Sequence, residues 1–264
     1  MDFVKLDRLA NTYDQDMETA DQHGQFPYVG YLEVLQTIAS DLDGAFPLTP
    51  IKVLDLGVGT GKLYQSVLPE KIRLTGIDVS KGMLDIARLR HPDATFFEHD
   101  LSSGLPDAVL AERFDAIVAT YFFHSLPLDK MLQSVKQLMT LLTPCGRIYI
   151  GDAMFLTSRQ KRETQLKELE NWDEFAHYHV YEQILGRIED HLALSFFEIR
   201  PGAAVVMIEN YHECTLHRRD AMIQYGQRLR SGGTFQSDPR EQTDGASLRS
   251  KETLVAMEPD RRTK

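Results

Sequence analysis

Ile51-Lys52-Val53-Leu54-Asp55-Leu56-Gly57-Val58-Gly59-Thr60-Gly61-Lys62-Leu63 is the stretch whose reading decides the fold. Val53, Leu54 and Leu56 around Asp55 make a short apolar run, the pattern of a strand buried on both faces. Glycines at 57, 59 and 61 end it in a tight turn, since residues without a Cβ reach conformations closed to others and let a ligand approach bare main chain. Lys62 to Leu68 then reads as a helix whose first N–H groups face the same opening. Strand, glycine turn and helix form a nucleotide-type pocket at the carboxyl edge of a parallel sheet. A plain structural turn would use the same glycines, so the assignment depends on the motifs elsewhere in the chain.

The dinucleotide pattern G-x-G-x-x-G counted from Gly57 requires glycine at position 62, where Lys62 stands. Asp55-x-Gly57-x-Gly59-x-Gly61 instead resembles the first motif of the class I S-adenosylmethionine-dependent methyltransferases. The resemblance implies S-adenosylmethionine as cofactor, with the glycines against its methionine part and Asp55 helping to hold it. It also implies a doubly wound, Rossmann-like α/β fold with a seven-stranded sheet, mostly parallel, ending in an antiparallel hairpin, and helices on both faces.

The remaining motifs come in the expected order. Ile72 to Asp78 reads as the second strand, closing on an acid that can accept both ribose hydroxyls. Ser80 suits the cap of the next helix, and Val79 and Met83 offer apolar cover to an adenine. A third strand, Thr95 to His99, ends at Asp100-Leu101, where the family receives the adenine amino group. Phe114 to Thr120 is the fourth buried strand, with Thr120 on the cofactor side. The loop Tyr121-Phe122-Phe123-His124 stands next, where such a sheet opens its crevice. Aromatic faces there suit a sulfonium cation. His124 can take a proton from an acceptor near neutral pH, or simply cap its loop. Tyr121 and Asp152 are the further catalytic candidates, Asp152 lying just past the fifth strand, Arg147 to Gly151. Leu142-Thr143-Pro144-Cys145-Gly146 stands where the family usually has L-x-P-G-G, with Cys145 in place of the first glycine.

At the N-terminus Leu9-Ala10-Asn11-Thr12-Tyr13-Asp14 resembles the Tyr-Asp element of small, uncharacterised bacterial methyltransferases, in which the tyrosine sits over the cofactor as a lid. Only Leu6 to Tyr13 reads as ordered before Pro27. From there Tyr28, Tyr31, Leu32, Leu35, Ile38 and Leu42 fall at helical spacing up to Gly44, a stripe read as core. Thr157 to Asn171 is a charged helix. Trp172 to Tyr181 is aromatic-rich and stands where the family inserts its substrate-selecting lid, about residues 153–192. His177 and His179 lack a clear third ligand, so no metal is expected. Leu194 to Arg200, Pro201-Gly202 and Ala203 to Tyr211 make the terminal hairpin. The organisation expected is a helical cap over 1–45, the methyltransferase domain over 46–215, and a polar, disordered tail over 216–264.

Composition narrows the partners. The 264 residues are 42% hydrophobic and carry a net charge of −10, which disfavours a phosphate-coating surface and favours a small-molecule methyl acceptor over nucleic acid. Residues 216–264 hold 10 Lys or Arg against 7 Asp or Glu, leaving 19 against 32 in the rest. Two cysteines make no disulfide framework, the first turns are too polar for a signal peptide, and no apolar run spans a bilayer. A cytoplasmic monomer or homodimer without membrane contact is expected. A protein that binds the cofactor without catalysis stays open as an alternative, since it would keep the same glycines and Asp78.

Overall fold

The computed structural model describes residues 3–44 and 50–210. The tail expected beyond 215 lies outside them. Helix α1 (Phe3–Gln22) is longer than the sequence suggests, and α2 begins at Tyr31 and runs to Gly44, not from Pro27. Its start is set from a distance: Asp21 Oδ1 accepts the Gly30 N–H at 2.6 Å and Oδ2 the Leu32 N–H at 3.0 Å, satisfying donors that the helix itself leaves open.

Strand β1 (Ile51–Leu56) enters the glycine turn. Lys62–Ser66 is a single 3₁₀ segment, not the α-helix expected, and a second 3₁₀ turn at Pro69–Lys71 leads into β2 (Ile72–Asp78). Helix α3 (Lys81–Arg90) is capped by Ser80, whose hydroxyl accepts the Met83 N–H at 3.2 Å as expected. Next come β3 (Thr95–Glu98), the short α4 (Asp107–Leu110), β4 (Phe114–Thr120), α5 (Leu128–Met139) and β5 (Leu142–Asp152). Strand β5 starts five residues earlier than read because Leu142 already pairs with Phe114; the ladder then shifts register past Cys145, which holds φ 70°. Beyond β5 lie β6 (Met154–Phe155), α6 (Ser158–Lys167), β7 (His179–Val180), α7 (Tyr181–Leu185) and the hairpin β8 (Leu192–Arg200) and β9 (Ala203–Asn210).

Seven strands form one sheet in the order β3-β2-β1-β4-β5-β9-β8. The first four neighbouring pairs are parallel, and β9 runs antiparallel to both β5 and β8. Side chains alternate between two cores, as a strand's period of two demands. Val53, Val118 and Val205 pack under α2 with Val34, Ile38 and Leu42. Leu54, Ile117 and Val206 pack under α5 with Met131, Val135 and Leu138. The approach is close: a Cβ on Gly151 would stand 2.6 Å from Val34, so α2 is a layer of the sheet's own core. Helix α1 packs against α3 and α2. The chain order reverses between β1 and β4, which opens a crevice at their carboxyl ends between the glycine turn and the Tyr121 to Ser125 loop.

Candidate active site

The three glycines do three different things. A Cβ on Gly57 (φ 71°) would stand 2.9 Å from the Phe122 ring, and one on Gly61 (φ 70°) 2.8 Å from the His91 ring, so both allow close packing. Gly59 (φ 55°) faces open space, leaving bare main chain toward the crevice. A hollow of about 40 Å³ remains there, bordered by Tyr13, Asp55, Gly57, Gly59, Thr120 and Tyr121 among others. It is far smaller than the roughly 300–1,000 Å³ of ordinary ligand pockets, because α1 closes over it.

The closure is built from polar ties. Asp14 accepts the Thr60 hydroxyl at 2.7 Å and pairs with Arg90 at 2.6 Å, Glu18 pairs with Lys62, and Asp7 accepts the Ser80 hydroxyl at 2.5 Å and the Gly82 N–H at 3.0 Å. Tyr13 is driven inward, and its hydroxyl pKa rises well above the usual phenol value through burial, then the neighbouring Tyr28, Tyr31, Asp78 and Asp14. Asp14, Arg90 and Lys62 are mostly buried in these ties, so α1 is held onto the glycine turn and α3 by polar contacts.

Beneath the lid stand groups with unmet demands. Asp55 is 2% exposed; its Oδ1 and the nearby Tyr64 hydroxyl are buried without a hydrogen-bond partner of good geometry. Burial pushes the Asp55 carboxyl up to about 7, the Tyr64 phenol easing this and the charge of Asp78 adding to it. Asp78 has each oxygen on a backbone N–H, Oδ2 from Gly59 at 2.9 Å and Oδ1 from Ser80 at 2.9 Å, and burial raises its pKa against those bonds. A carboxylate oxygen holds two lone pairs, so both retain capacity. An orphaned buried carboxylate, bare backbone at Gly59 and an acid at the next strand tip fit the ammonium, main-chain contact and ribose of an adenosyl amino acid. Met83 is 3% exposed, and Asp100 caps a 3₁₀ turn by accepting the Ser102 N–H at 2.8 Å, which lowers its pKa. Gly61, Asp78, Val79, Met83, Asp100 and Leu101 do not border the remaining hollow; Tyr13, Asp55, Gly57, Gly59 and Thr120 do.

Across the crevice Tyr121 holds φ 49°, a left-handed conformation that is strained for a residue with a Cβ. Its N–H donates to the Gly151 carbonyl at 2.7 Å, while its hydroxyl is buried and unpartnered. Its ring lies against Tyr28 and Tyr31, with centroids 5.6 and 5.2 Å away. The helical periodicity assigns both of those tyrosines to the core, and Tyr64 lies within the Lys62 to Leu68 segment read only as a helix, so sequence reasoning singles out none of the three. Asp152, 0% exposed, accepts the His124 N–H on Oδ2 at 2.9 Å, and the His124 ring Nδ1 on Oδ1 at 2.8 Å alongside the Ala153 N–H at 2.8 Å. Burial opposes the imidazolium, but the charge and hydrogen bond of Asp152 outweigh it and raise the His124 pKa above 6.5. With Nδ1 engaged, Nε2 is the nitrogen left for an acceptor. The sequence makes Asp152 a candidate for touching the acceptor itself; the structure leaves it with no exposed surface, bonded to His124 and the Ala153 N–H.

A nucleotide-type crevice at a parallel sheet edge beside an antiparallel terminal hairpin defines a methyltransferase-type α/β architecture. Residues 53–146 match the family model described as "Methyltransferase domain". An uncharacterized methyltransferase of Alkaliphilus oremlandii is 35% identical over 165 residues, 61% of this chain and 72% of that protein. One from Oceanobacillus iheyensis is 30% identical over 153 residues, 58% and 67% of the two chains. The chain belongs to this family of methyltransferases. Among solved structures, the plantazolicin methyltransferase BpumL in complex with a triazolic desmethylPZN analog and SAH (S-adenosylhomocysteine) superposes with a TM-score of 0.55 at 19% identity, over 79% of this chain and 98% of that one. Magnesium protoporphyrin IX methyltransferase (ChlM) from Synechocystis PCC 6803 with bound SAH gives 0.51 at 16%, over 69% and 84%. Both share the fold. Among the described residues no helix is long and apolar enough to cross a membrane.

Proposed function

We propose that the enzyme transfers methyl to a small-molecule acceptor that enters between Tyr28, Tyr121 and the Trp172 to Tyr178 segment, with His124 as general base. The observation that carries this reading is the His124–Asp152 pair, held one loop away from the hollow that Tyr121 borders. The cofactor supplies an activated methyl and its own leaving group, so the protein's task is mainly alignment for in-line displacement.

In this reading Asp78 takes the ribose hydroxyls, while Val79, Met83, Asp100 and Leu101 surround the adenine. Asp55 and Tyr64 receive the amino-acid end against Gly57 and Gly59, with Gly61 setting the turn and Thr120 lining the far wall. Tyr13 closes over it from α1. Tyr121 presents ring and hydroxyl toward the methyl. His124 Nε2 receives the acceptor's proton, and buried Asp152 stabilises the imidazolium that results. Helix α1 is the moving part of the cap, and residues 153–192 are the acceptor-facing lid of the catalytic body. Cytoplasmic action without nucleic acid, by a monomer or homodimer, suits the acidic surface.

The test is His124→Ala, assayed with radiolabelled S-adenosylmethionine against a metabolite extract. Methyl transfer falls by about 10²–10⁴-fold while calorimetric binding of S-adenosylhomocysteine is retained. Unchanged transfer removes the histidine from the mechanism.

A further inference from the structure

The segment after α6 packs Trp172 on Phe26 and Phe155 and then enters β7, where His179 pairs with Met154 and Val180 with Phe155. On the way into β7 and within it, the segment grips the turn that carries His124. The His177 N–H donates to the His124 carbonyl at 2.6 Å, and His179 Nε2 lies 2.9 Å from the carbonyl of Phe123, the preceding residue. A carbonyl only accepts, so Nε2 carries the proton and His179 is the neutral Nε2–H tautomer. Its side chain is 5% exposed, and burial lowers its pKa, with Lys161 and His177 adding to this and the Phe123 bond and Asp152 opposing it. Lys161 fastens the same segment by donating to the Tyr178 carbonyl at 2.7 Å.

An imidazole kept neutral in a buried position is a costly way to fill space; an apolar side chain would pack there without desolvating two nitrogens. What it provides is a rigid donor on the main chain of the catalytic turn. Phe123 is 0% exposed and anchors that turn in the sheet's second core, so the remaining freedom lies in rotation of the peptide units around His124. Two consecutive carbonyls held from the lid remove it.

We propose that His179 is a positioning residue for His124: its ring, with the His177 N–H, clamps the Phe123 and His124 carbonyls so that Nδ1 stays on Asp152 and Nε2 stays turned to the acceptor. The aromatic segment that meets the acceptor and the imidazole that deprotonates it are thereby one mechanical unit. The consequence for turnover rests on the reading of His124 as the base; the clamp itself does not.

The test is nitrogen-15 spectroscopy of the histidine rings in the full-length protein, wild type against His179→Leu, His179→Gln and His177→Pro. In the wild type His179 appears as the Nε2–H tautomer and titrates below the ordinary histidine midpoint. The charges facing His124 are Asp152 and Asp173, and none is altered by these substitutions. In His179→Leu the His124 titration therefore moves down only if its contact with Asp152 loosens. The glutamine, which keeps a donor near the same place, restores it, and S-adenosylhomocysteine affinity stays within about twofold. Should the leucine variant fail to fold, His177→Pro, which removes the second donor together with the His177 ring and fixes φ there, produces the same downward shift, while His177→Ala, which removes the ring but keeps the N–H, does not. A His179 ring that titrates with an ordinary midpoint, or a His124 titration identical in wild type and variants, overturns the proposal. His124→Gln separates the two claims: unchanged methyl transfer in that variant refutes the base and leaves the clamp standing.

Discussion

The two walls of the crevice are built by opposite strategies. On the β1 and β2 side the working surface is largely main chain and strand-tip acids: Gly59 bares its backbone, and Asp55 and Asp78 lie within one turn of the strands that carry them. On the β4 and β5 side the surface is made of side chains brought from far apart, with Tyr28 just before α2 and Tyr31 at its start, Tyr121 and His124 after β4, Asp152 ending β5 and His179 in β7. The first wall comes from the tips of two neighbouring strands, whereas the second is assembled from several segments distant in the chain, so in the proposed reading the second can change without disturbing the first.

That contrast predicts which perturbations separate binding from chemistry. The largest effect belongs to the second wall. With turnover carried by His124, the rate rises with pH through a midpoint above 6.5, because only the neutral imidazole accepts a proton. Asp152→Asn removes the charge that raises this midpoint, so the profile shifts to lower pH and the plateau drops by at least about tenfold, while cofactor binding is spared.

A smaller effect of the opposite kind belongs to the first wall. Asp55 sits near 7 in the fold against an ordinary 3.8, so the folded chain binds more protons than the unfolded chain between those values. Its contribution to stability is therefore lost as pH rises from about 4 to 7. Asp55→Asn should be more stable than wild type at pH 8 by on the order of 2–4 kcal/mol, and should lose that advantage at pH 4, in urea unfolding. The same variant binds S-adenosylmethionine more weakly. A variant that is destabilised equally at both values would mean that the carboxylate is satisfied in the fold. The smallest effect lies outside both walls: Cys145→Gly relieves a left-handed residue and should raise stability by about 1 kcal/mol or less, seen as a melting temperature a few degrees higher.

The same contrast explains what is legible in the sequence. The glycine turn, the acid that closes the second strand and the order of strands can be read because each is encoded in a few adjacent residues. Helix α1 is visible only in part, since beyond Tyr13 it has no sustained apolar stripe and is held by Asp14 and Glu18 on Thr60, Arg90 and Lys62. The Lys62 segment passes for an α-helix because the local pattern does not show how tightly the chain must turn between Gly61 and Pro69. His179 invites comparison with a metal ligand, and its bond to the Phe123 carbonyl spans 56 positions, beyond the reach of any local pattern. Tyr28 and Tyr31 obey the helical period of core residues, and nothing in that period distinguishes a ring that packs from a ring that also faces the crevice.

The central claim is that the strand-tip acid and bare glycine turn cup the adenosyl part of S-adenosylmethionine once α1 moves aside. Isothermal calorimetry of the full-length protein with S-adenosylmethionine, wild type against Asp78→Asn, tests it most directly. A single site that weakens about 10- to 100-fold in the variant is the predicted result. Equal affinity in the two proteins, or no heat of binding to the wild type at saturating cofactor, would contradict it.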